Sequence, residues 1–545
     1  MLMPDRDDAF SLPFTVPGNR NEPGVEAPRR GPAYGTRYAV ASEHPASALA
    51  GLGVLERGGN AIDAAIAISA VNVVVKPHYT QLGGDAFALL WHRETDTVEC
   101  LNAGGRAPRA ATPDTFRAGI PLRGPLASTV PGLADAWAEL HARHGSRPLG
   151  ELLTPAIALA EDGFPVSLRL AGAMALLAHD DSLAYDTTRA LYLSDGKPYL
   201  PSELLRQPEL AQTLRAIGDR GREGFYSGRT GKAIARAMRE AGGLIDEEDL
   251  ARPAALWHEP LTTTYRGCTV YEQALPSQGM VLLESLNIVE GYPLAEWGPA
   301  SADSVHVMFE ATRLALADLR RYCGDPLCVD VPIERLLSRK HAQQRAEEID
   351  LSRAREHSAA AIGGDTTSFV VTDGETVVAF IQSIFAPWGS GFAVPGAGIL
   401  MNNRMNGFSL DRSSPNYLTP GKRTIHTLNN YMVVRDGRLV LAGGTPGGDY
   451  QVQTNLQTIG GVVDWGLDLQ SAIDSPRWVY AGQGRLAAEG RFPDETLQEL
   501  GARGHKVRRL ARWDGTVQRA NVIAQTGTGW AVAADARGEG VALAL

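Results

Sequence analysis

Thr366 is the first residue whose surroundings indicate chemistry. It follows the glycine-rich segment Gly363-Gly364-Asp365, and the residues after it form a β-branched run typical of a strand. If the peptide bond before Thr366 breaks, the new α-amine lies beside the threonine hydroxyl. An α-amine has a pKa of about 7.7–8.0, so one residue would hold both the nucleophile and its base. The alternative is that Thr366 and Thr367 only begin a strand, which a Thr-Thr pair taken alone favours.

A glycine-rich turn is the second candidate. Residues 443–449, Gly-Gly-Thr-Pro-Gly-Gly-Asp, follow an apolar segment. Glycines let backbone N–H groups converge on one point, and the oxyanion that develops during acyl transfer needs such donors. Glycine-rich turns are common, so an ordinary strand-to-helix turn is the alternative.

Helical patterns dominate the first two-thirds of the chain. A short strand over residues 38–42 leads into a predicted helix over residues 45–56. Asn60 is placed to cap a second helix over residues 61–75, which is apolar on nearly all faces and is therefore predicted to be buried. Further helical patterns cover residues 150–240 and 301–322.

Strand patterns dominate the last third. Residues 366–372 and 376–384 are β-branched and aromatic runs joined through Asp373-Gly374, which predicts a hairpin. A short loop at that point places Thr366 opposite residues 381–383. Further strands are predicted at residues 431–434, 439–442, 521–524 and 530–533, and a helix near residues 494–500.

The composition is that of a globular protein. Of 545 residues, 44% are hydrophobic and 21% are charged. The net charge of −10 contains no long acidic run and disfavours a nucleic-acid partner. Four cysteines are too few for a disulfide framework, and no Cys/His pair nearby completes a zinc site. We therefore expect no metal and no cofactor.

Targeting segments are not evident. Residues 1–32 contain no apolar core of a secretory signal. The most apolar stretch, residues 61–75, contains two polar side chains and is too short to span a bilayer. We therefore expect a cytoplasmic protein without membrane association.

Several segments together resemble the γ-glutamyltransferase (glutathione hydrolase) family of N-terminal-nucleophile hydrolases. They occur in the family's order and cover nearly the whole chain from about residue 38. These segments are Gly58-Gly59-Asn60-Ala61-Ile62-Asp63-Ala64-Ala65, Ser128-Thr129-Val130-Pro131-Gly132, Leu153-Thr154-Pro155-Ala156-Ile157, Asp162-Gly163-Phe164-Pro165-Val166, Gly398-Ile399-Leu400-Met401-Asn402-Asn403 and Pro446-Gly447-Gly448.

The resemblance implies a set of catalytic residues. Thr366 corresponds to the family's nucleophile, and Asp365–Thr366 is the bond that the precursor cleaves in itself. Gly447 and Gly448 would supply the amides of the oxyanion hole. Ser383 stands where the family has a threonine whose hydroxyl steadies the nucleophile.

The resemblance also implies an architecture. The fold class is α+β, a four-layer αββα sandwich built jointly by both processed fragments. Residues 1–36 are expected to form a disordered arm, 37–365 a helix-rich large fragment, and 366–545 a strand-rich small fragment that begins with the nucleophile. The two fragments would form a heterodimer, either alone or dimerised further.

The positions that hold a γ-glutamyl group in the family carry other residues here. The family's arginine, asparagine, glutamine, aspartate and serine pair fall on Gly104, Phe385, Arg404, Gly407 and His426-Thr427. The lost aspartate matters most, because it would hold the substrate's α-ammonium group. A site without its ammonium and carboxylate partners should bind a γ-glutamyl group poorly.

The replacements suggest a different substrate. Arg404 is a cation whose fork suits a carboxylate, and Arg106, two residues beyond the lost arginine, would face the same side of a strand. Phe385 narrows or dries the pocket, and His426 is expected to donate a hydrogen bond or titrate near neutrality. The alternative is that both arginines and the histidine are solvated or structurally paired.

These observations predict a self-processing amidohydrolase that forms an acyl-enzyme on Thr366. Its substrate would be a small amide whose acyl part carries a carboxylate but no α-ammonium group, oxamate-like or glutaryl-like. A γ-glutamyltransferase or glutathione hydrolase is the alternative, and a catalytically silent binding homologue is an alternative of another class. Transfer of the acyl group to an amine instead of water stays open.

Overall fold

The computed structural model of the chain describes residues 30–356, 364 and 366–545. The strands are β1 (Ala33–Gly35), β2 (Ala39–Ser42), β3 (Asp85–His92), β4 (Thr97–Ala103), β5 (Phe164–Pro165), β6 (Leu193–Ser194), β7 (Lys197–Pro198), β8 (Leu204–Leu205), β9 (Leu256–His258), β10 (Leu261–Tyr265), β11 (Cys268–Glu272), β12 (Thr367–Thr372), β13 (Thr376–Ser383), β14 (Ala393–Val394), β15 (Ile399–Leu400), β16 (Asn430–Arg435), β17 (Arg438–Gly444), β18 (Trp478–Tyr480), β19 (Arg485–Ala488), β20 (Lys506–Arg509), β21 (Asn521–Gln525), β22 (Trp530–Ala534) and β23 (Val541–Ala544).

The helices are α1 (Pro45–Glu56), α2 (Ala61–Val75), α3 (Leu133–His144), α4 (Leu149–Asp162), α5 (Leu168–His179), α6 (Asp186–Tyr192), α7 (Pro208–Arg220), α8 (Arg222–Tyr226), α9 (Gly228–Glu240), α10 (Glu247–Ala251), α11 (Gly279–Val289), α12 (Leu294–Trp297), α13 (Ala302–Tyr322), α14 (Ile333–Leu336), α15 (Arg339–Ala346), α16 (Tyr450–Val463), α17 (Leu469–Asp474) and α18 (Asp494–Ala502). Single 3₁₀ turns occur at Pro113–Phe116, Pro125–Ala127, Arg404–Gly407 and Gly515–Val517.

Within the described residues, two seven-stranded sheets are stacked face to face. The first sheet has the order β23-β2-β12-β13-β3-β4-β9, and the second has the order β1-β22-β21-β17-β16-β11-β10. The space between them is filled by a buried apolar cluster from both sheets that includes Trp91, Val370, Ala379, Met432, Ile523 and Trp530.

Helices cover the outer face of each sheet. The helices α1 and α2 pack on the first sheet, and α4 packs on α2 in the same apolar core. The helices α11 and α16 pack on the second sheet, and α13 packs on these two helices in another core. The layers therefore run helix, sheet, sheet, helix, and the predicted α+β, four-layer αββα class is confirmed.

Both sheets take strands from both sides of Thr366. The strand β12, which directly follows Thr366, lies between β2 and β13. In the second sheet β11 pairs with β16. The two segments of the chain therefore build each sheet jointly.

The first two-thirds of the chain is less helical than its patterns predict. The hairpin of β3 and β4 occupies the first sheet beside β13, yet the sequence patterns do not indicate it. Nearly every residue of β3 is buried, so Asp85–His92 lacks the alternation of polar and apolar residues that marks a half-exposed strand.

The helix boundaries at residues 45–56 and 61–75 agree with the predictions. The Asn60 Oδ1 atom accepts hydrogen bonds from the backbone N–H groups of Ile62 and Asp63, and the Asp63 carboxylate accepts from the Asn60 N–H group. This capping box fixes the start of α2. The Asp373 carboxylate accepts from the Ala61 N–H group at 2.9 Å, so the turn of the β12–β13 hairpin is tied to the same helix end.

The predicted disordered arm needs a correction at its end. Residues 1–29 lie outside the described residues, but Ala33–Gly35 forms β1 and pairs with β22. The Arg30 guanidinium donates hydrogen bonds to the carbonyl oxygens of Ala534 at 2.7 Å and Gly540 at 3.2 Å. The pairing of β1 with β22 and the hydrogen bonds of Arg30 therefore order residues 30–35, although their composition alone indicates a disordered arm.

Candidate active site

Thr366 lies directly before β12. Thr367 pairs with Gln382 across the hairpin, so the antiparallel register places Thr366 opposite Ser383, as the position of the turn predicts. The Thr366 side chain is buried. The side-chain amide of Gln451, on α16, donates a hydrogen bond to the Thr366 hydroxyl at 3.4 Å. The candidate nucleophile therefore lies between the first sheet and the helix that follows the glycine-rich turn.

The glycine-rich turn of residues 443–449 lies against the segment that precedes the candidate nucleophile. Gly447 and Gly448 have φ angles of +123° and +60°, which residues with a Cβ atom rarely adopt. The Gln278 amide donates to the carbonyl oxygens of Gly448 at 2.8 Å and Thr427 at 2.7 Å. A Cβ atom on Gly364 would lie 3.6 Å from the Gly448 nitrogen. Asp365 lies outside the described residues.

Ser383 holds a strained turn at the end of β13. Its hydroxyl accepts a hydrogen bond from the Phe385 N–H group at 2.7 Å. Phe385 has a φ angle of +82°, which is costly for a bulky side chain. The Asn403 side chain accepts from the next N–H group, that of Ala386, at 3.0 Å. Backbone strain of this kind is concentrated at functional sites.

Arg404 is fully buried beside these residues. Its guanidinium lies 4.4 Å from the centre of the Phe385 ring, and its Nη1 atom donates to the Thr427 hydroxyl at 3.3 Å. The nearest carboxylate oxygen belongs to Asp85, 3.5 Å from Nε. Within the described part of the chain, Nε and Nη2 make no hydrogen bond. Burial lowers the pKa of Arg404 to about 10, and Asp85 partly offsets this effect.

His426 is engaged at both ring nitrogens. Its Nδ1 atom accepts from the Leu428 N–H group at 3.3 Å, so the proton lies on Nε2 and is donated to the Asp85 carboxylate at 3.1 Å. Burial, followed by the charge of Arg404, lowers the pKa of His426 to about 4. The expectation that His426 titrates near neutrality is therefore wrong, because its ring is buried beside a cation.

Arg106 is placed differently from the expectation. It forms an isolated backbone bridge with Arg423, and burial, followed by the charge of Arg252, lowers the pKa of its half-buried side chain. No hydrogen bond or ion pair between described residues joins Arg106 to Arg404 or His426. Contacts between described residues therefore join Arg404 with His426, Thr427 and Phe385, directly or through Asp85, and none of these contacts includes the Arg106 side chain.

A cavity of about 390 Å³ opens next to this group. Thr427, Phe385 and Gly407 contribute to its wall, so three of the positions that the resemblance assigns to substrate line one space. The other lining residues are Gln278, Leu319, Arg320, Cys323, Asn406, Phe408, Ser409, Ser414, Asn416, Ile425 and Asp449.

The two glycines at lost γ-glutamyl positions are tightly enclosed. A Cβ atom on Gly407 would lie 2.6 Å from Oγ1 and 2.9 Å from Cγ2 of Thr424. A Cβ atom on Gly104 would lie 3.3 Å from Phe87 and 3.4 Å from His426. Thr424 therefore occupies the space that an aspartate at position 407 would need, whereas a side chain at position 104 would require its neighbours to shift slightly.

The sequence analysis missed several residues of this site. Asp85 contacts both Arg404 and His426. In the sequence, only its position as a single acid before the apolar run 86–91 distinguishes it. Gln451 and Gln278 reach the site from helices of the second sheet, and no local pattern marks them. Arg320 lines the cavity and forms an ion pair with Asp449 at 2.9 Å. These two residues are far apart in the sequence, so no local pattern indicates their contact.

In the part of the chain that the structure describes, three groups of side chains have donor atoms close enough to share a metal ion, and none of them includes a residue named above for the site. The groups are His92–Glu99–His144, His306–Glu310–His505 and Glu284–Asp318–His341. The chemistry of the site rests on hydroxyl, amide and guanidinium groups.

Comparison with known proteins agrees with this arrangement. The family described as gamma-glutamyltranspeptidase matches residues 47–545. The chain belongs to the γ-glutamyltranspeptidase family. The resemblance found in the sequence is therefore confirmed, and the chain is a hydrolase of this family.

Similar members of the γ-glutamyltranspeptidase family differ in their named activities. The glutathione hydrolase-like YwrD proenzyme of Bacillus subtilis is 37% identical over 528 residues, which cover 94% of this chain and 99% of the relative. The oxamate amidohydrolase proenzyme of Klebsiella pneumoniae is 36% identical over 506 residues, which cover 89% and 94%. The crystal structure of cephalosporin acylase from Bacillus halodurans matches with a TM-score of 0.89 and 35% identity, covering 97% of this chain and 99% of that one. Among the described residues, no helix has the length and apolar character needed to cross a membrane.

Proposed function

We propose that this γ-glutamyltranspeptidase-family chain is a self-processing amidohydrolase with Thr366 as its nucleophile. The position of Thr366 carries the proposal: it is buried opposite Ser383 at the head of β12, with the Gln451 amide at its hydroxyl. The relatives named as proenzymes support the processing step.

Self-cleavage would begin with attack of the Thr366 hydroxyl oxygen on the carbonyl carbon of Asp365. The C–N bond breaks as the C–O bond forms, and the hydroxyl proton passes to the departing nitrogen. Water then hydrolyses the resulting ester, which leaves a carboxylate on Asp365 and an α-amine on Thr366. This amine is the base that the mature site needs.

Substrate cleavage would repeat the same chemistry on an external amide. The α-amine of Thr366 takes the hydroxyl proton while the oxygen attacks the amide carbonyl. The N–H groups of Gly447 and Gly448 would stabilise the oxyanion. The proton then passes to the leaving amine, and water releases the acid from the threonine ester.

The fragments 1–365 and 366–545 would stay together after cleavage as a heterodimer. The strand β12 pairs with β2 on one side and with β13 on the other, and a shared apolar cluster lies between the sheets. Separation would expose this core to water, which is strongly unfavourable.

The acyl group is proposed to carry a carboxylate and no α-ammonium group. Thr424 fills the space that a side chain at Gly407 would need, and the surroundings of Gly104 are tight, which disfavours the side chains that would pair with a γ-glutamyl zwitterion. Arg404 retains a guanidinium edge, Nη2, without a hydrogen-bond partner among the described residues. Such an edge suits a carboxylate and repels an ammonium group. The name oxamate amidohydrolase, given to a similar protein, agrees with this substrate class, because oxamate is an amide that carries a carboxylate and no ammonium group.

Glutathione hydrolysis is the second candidate, because the name of the YwrD relative contains it. A hydrolysis screen of the processed protein with oxamate, glutaryl 4-nitroanilide and γ-glutamyl 4-nitroanilide separates the two. We expect turnover of an anionic amide to exceed that of the γ-glutamyl anilide. Preferential turnover of the γ-glutamyl anilide would establish the second candidate, and absence of both processing and turnover would indicate a silent binding homologue.

A further inference from the structure

Asp85 is a buried acid behind the wall of the cavity that would take the acyl group, here called the acyl pocket. It contacts Arg404, which in turn contacts two residues of the cavity wall, Phe385 and Thr427. It is the first residue of β3 and pairs with Ser383 of β13. Its Oδ1 atom accepts a hydrogen bond from the Gly105 N–H group at 2.8 Å. Its Oδ2 atom lies 3.1 Å from Nε2 of His426 and 3.5 Å from Nε of Arg404. One carboxylate thus contacts two residues at substituted γ-glutamyl positions.

The buried Arg404 needs this carboxylate for electrostatic reasons. The Arg404 side chain is only 1% exposed, and an uncompensated buried cation is strongly destabilising. Phe385 and Thr427 contact the guanidinium but carry no charge. Asp85 is the acid that forms an ion pair with Arg404 among the described residues.

The Asp85 carboxylate also helps to fix the protonation state of the His426 ring. Because Nδ1 accepts from the Leu428 N–H group, Nε2 is the donor to Asp85, and the ring is neutral. The three side chains together then carry no net charge: one anion, one cation and one neutral ring.

We propose that Asp85 is the positioning and specificity-determining residue of the acyl pocket, the counter-ion that holds Arg404 in place and moderates its attraction for the acyl carboxylate. This inference rests on the proposed function, because it places the acyl group against Phe385 and Thr427. The arriving carboxylate would approach the Nη2 atom of Arg404, while Asp85 stays beside Nε. Because Asp85 already neutralises the guanidinium, the product acid is held loosely enough to leave.

The test measures binding of glutarate, which needs no turnover. Asp85→Asn keeps the size of the side chain and one of its two acceptor oxygens but removes its charge. By calorimetry we expect the Kd of glutarate to fall by about tenfold or more, the effect of one unscreened charge contact. The neutral analogue pentanediamide should bind with unchanged affinity. An unchanged or larger Kd for glutarate would overturn the proposal.

Two further variants separate positioning from a general structural role. Asp85→Glu keeps the charge and should keep the glutarate Kd of the wild type. Asp464→Asn removes another buried carboxylate, which binds Arg266 at 2.9 Å outside the acyl pocket; it should lower the Tm without changing the glutarate Kd. A tighter Kd in Asp464→Asn would show that the effect is not specific to Asp85.

A double-mutant cycle covers the case in which Asp85→Asn is too unstable for calorimetry. Asp85→Asn and Arg404→Gln each leave one buried charge unpaired, whereas the double variant leaves none. We expect the double variant to have a higher Tm than either single variant. Additive losses of Tm would overturn the ion-pair role. The proposed hydrolysis is tested separately by turnover, so an inactive wild type with the expected Kd and Tm shifts would refute the function and leave the role of Asp85 standing.

Discussion

Thr424 occupies the space into which a side chain at Gly407 would project. A Cβ atom on Gly407 would lie 2.6 Å from Oγ1 of Thr424, closer than such atoms approach without displacement. The Thr424 hydroxyl is itself within 3.2 Å of the Asn416 amide, and Asn416 also donates to the Gly407 carbonyl at 2.6 Å. Thr424 and Asn416 therefore fill the space beside position 407, where the resemblance to the family implies an aspartate.

Gly407→Asp alone should not restore γ-glutamyl specificity. The new side chain would overpack the Thr424 contact, which typically costs about 1–3 kcal/mol of stability, and it would bury a carboxylate. We expect a lower Tm and no gain in kcat/KM for γ-glutamyl 4-nitroanilide. The double variant Gly407→Asp/Thr424→Gly relieves the clash and should regain part of the Tm. A Gly407→Asp protein with the Tm of the wild type and new γ-glutamyl turnover would contradict the packing argument.

Thr366→Ala should remain full length and inactive. Without a hydroxyl at position 366 there is no nucleophile for the bond to Asp365 and none for substrate. Denaturing gels of the wild type should show fragments 1–365 and 366–545, and N-terminal sequencing of the smaller one should begin at Thr366. Thr367→Ala is the matched control, since it removes the neighbouring hydroxyl and should still be processed. A smaller fragment that starts at any other residue would refute the assignment.

Gly448→Ala should disturb the oxyanion site. Its φ angle of +60° is strained for alanine by about 1–2 kcal/mol, so the turn should shift and misdirect its N–H group. Loss of one oxyanion donor typically lowers kcat by about 10²–10³-fold. Gly396→Ala is the control: Gly396 has a φ angle of +74° and open space around it, so this variant should show similar strain but normal kcat. Normal kcat in processed Gly448→Ala would remove Gly448 from the mechanism.

Stability should fall as the pH drops from about 6.5 towards 4. Burial lowers the pKa of His426 to about 4 and those of His44 and His505 to about 4 and about 3. The folded state keeps these rings neutral, whereas the unfolded state takes up protons near pH 6.5. Each ring therefore contributes stability that is fully present above about pH 6.5 and is lost in acid, at about 1.4 kcal/mol per pH unit.

Denaturant unfolding of the variant His426→Gln at several pH values tests this contribution. Between pH 6.5 and 5 the free energy of unfolding of this variant should fall less steeply than that of the wild type. The two slopes should differ by about 1.4 kcal/mol per pH unit, the effect of one proton. The exposed His179, replaced by glutamine, is the control and should leave the slope unchanged. A slope for His426→Gln equal to that of the wild type would show that His426 is not neutral and buried in solution.

The local parts of this site could be predicted from the sequence, and the long-range parts could not. The Asp373-Gly374 turn sets the register of its hairpin, so the approach of Thr366 to Ser383 follows from the spacing alone. The approach of Asp85 to Arg404 depends on β3 pairing with β13, and β3 is buried on both faces and carries no alternating signal. The position of Arg106 also depends on a long-range contact, its backbone bridge to Arg423. The sequence analysis treated Arg106 as part of a strand and could not foresee this bridge.

Arg404→Gln should change substrate preference without preventing processing. Arg404 has an ion-pair partner, Asp85, beside its Nε atom. Its Nη2 atom, which makes no hydrogen bond to any described residue, would meet the acyl carboxylate. Glutamine keeps much of the side-chain length but removes the charge, so glutaryl 4-nitroanilide should lose a charge-assisted hydrogen bond. Such bonds contribute about 1.5–3 kcal/mol, which corresponds to a fall in kcat/KM of roughly ten- to a hundredfold.

Self-cleavage of Arg404→Gln should proceed, because that reaction needs the Thr366 hydroxyl and the carbonyl of Asp365 and no acyl carboxylate. The neutral substrate butyryl 4-nitroanilide is the internal control, since its turnover should change far less than that of the glutaryl anilide. Equal losses on both anilides would mean that Arg404 acts through the packing of Phe385 instead of through its charge. Efficient cleavage of γ-glutamyl 4-nitroanilide by the wild type would contradict the anionic pocket itself, since a buried ammonium group opposite Arg404 would be repelled.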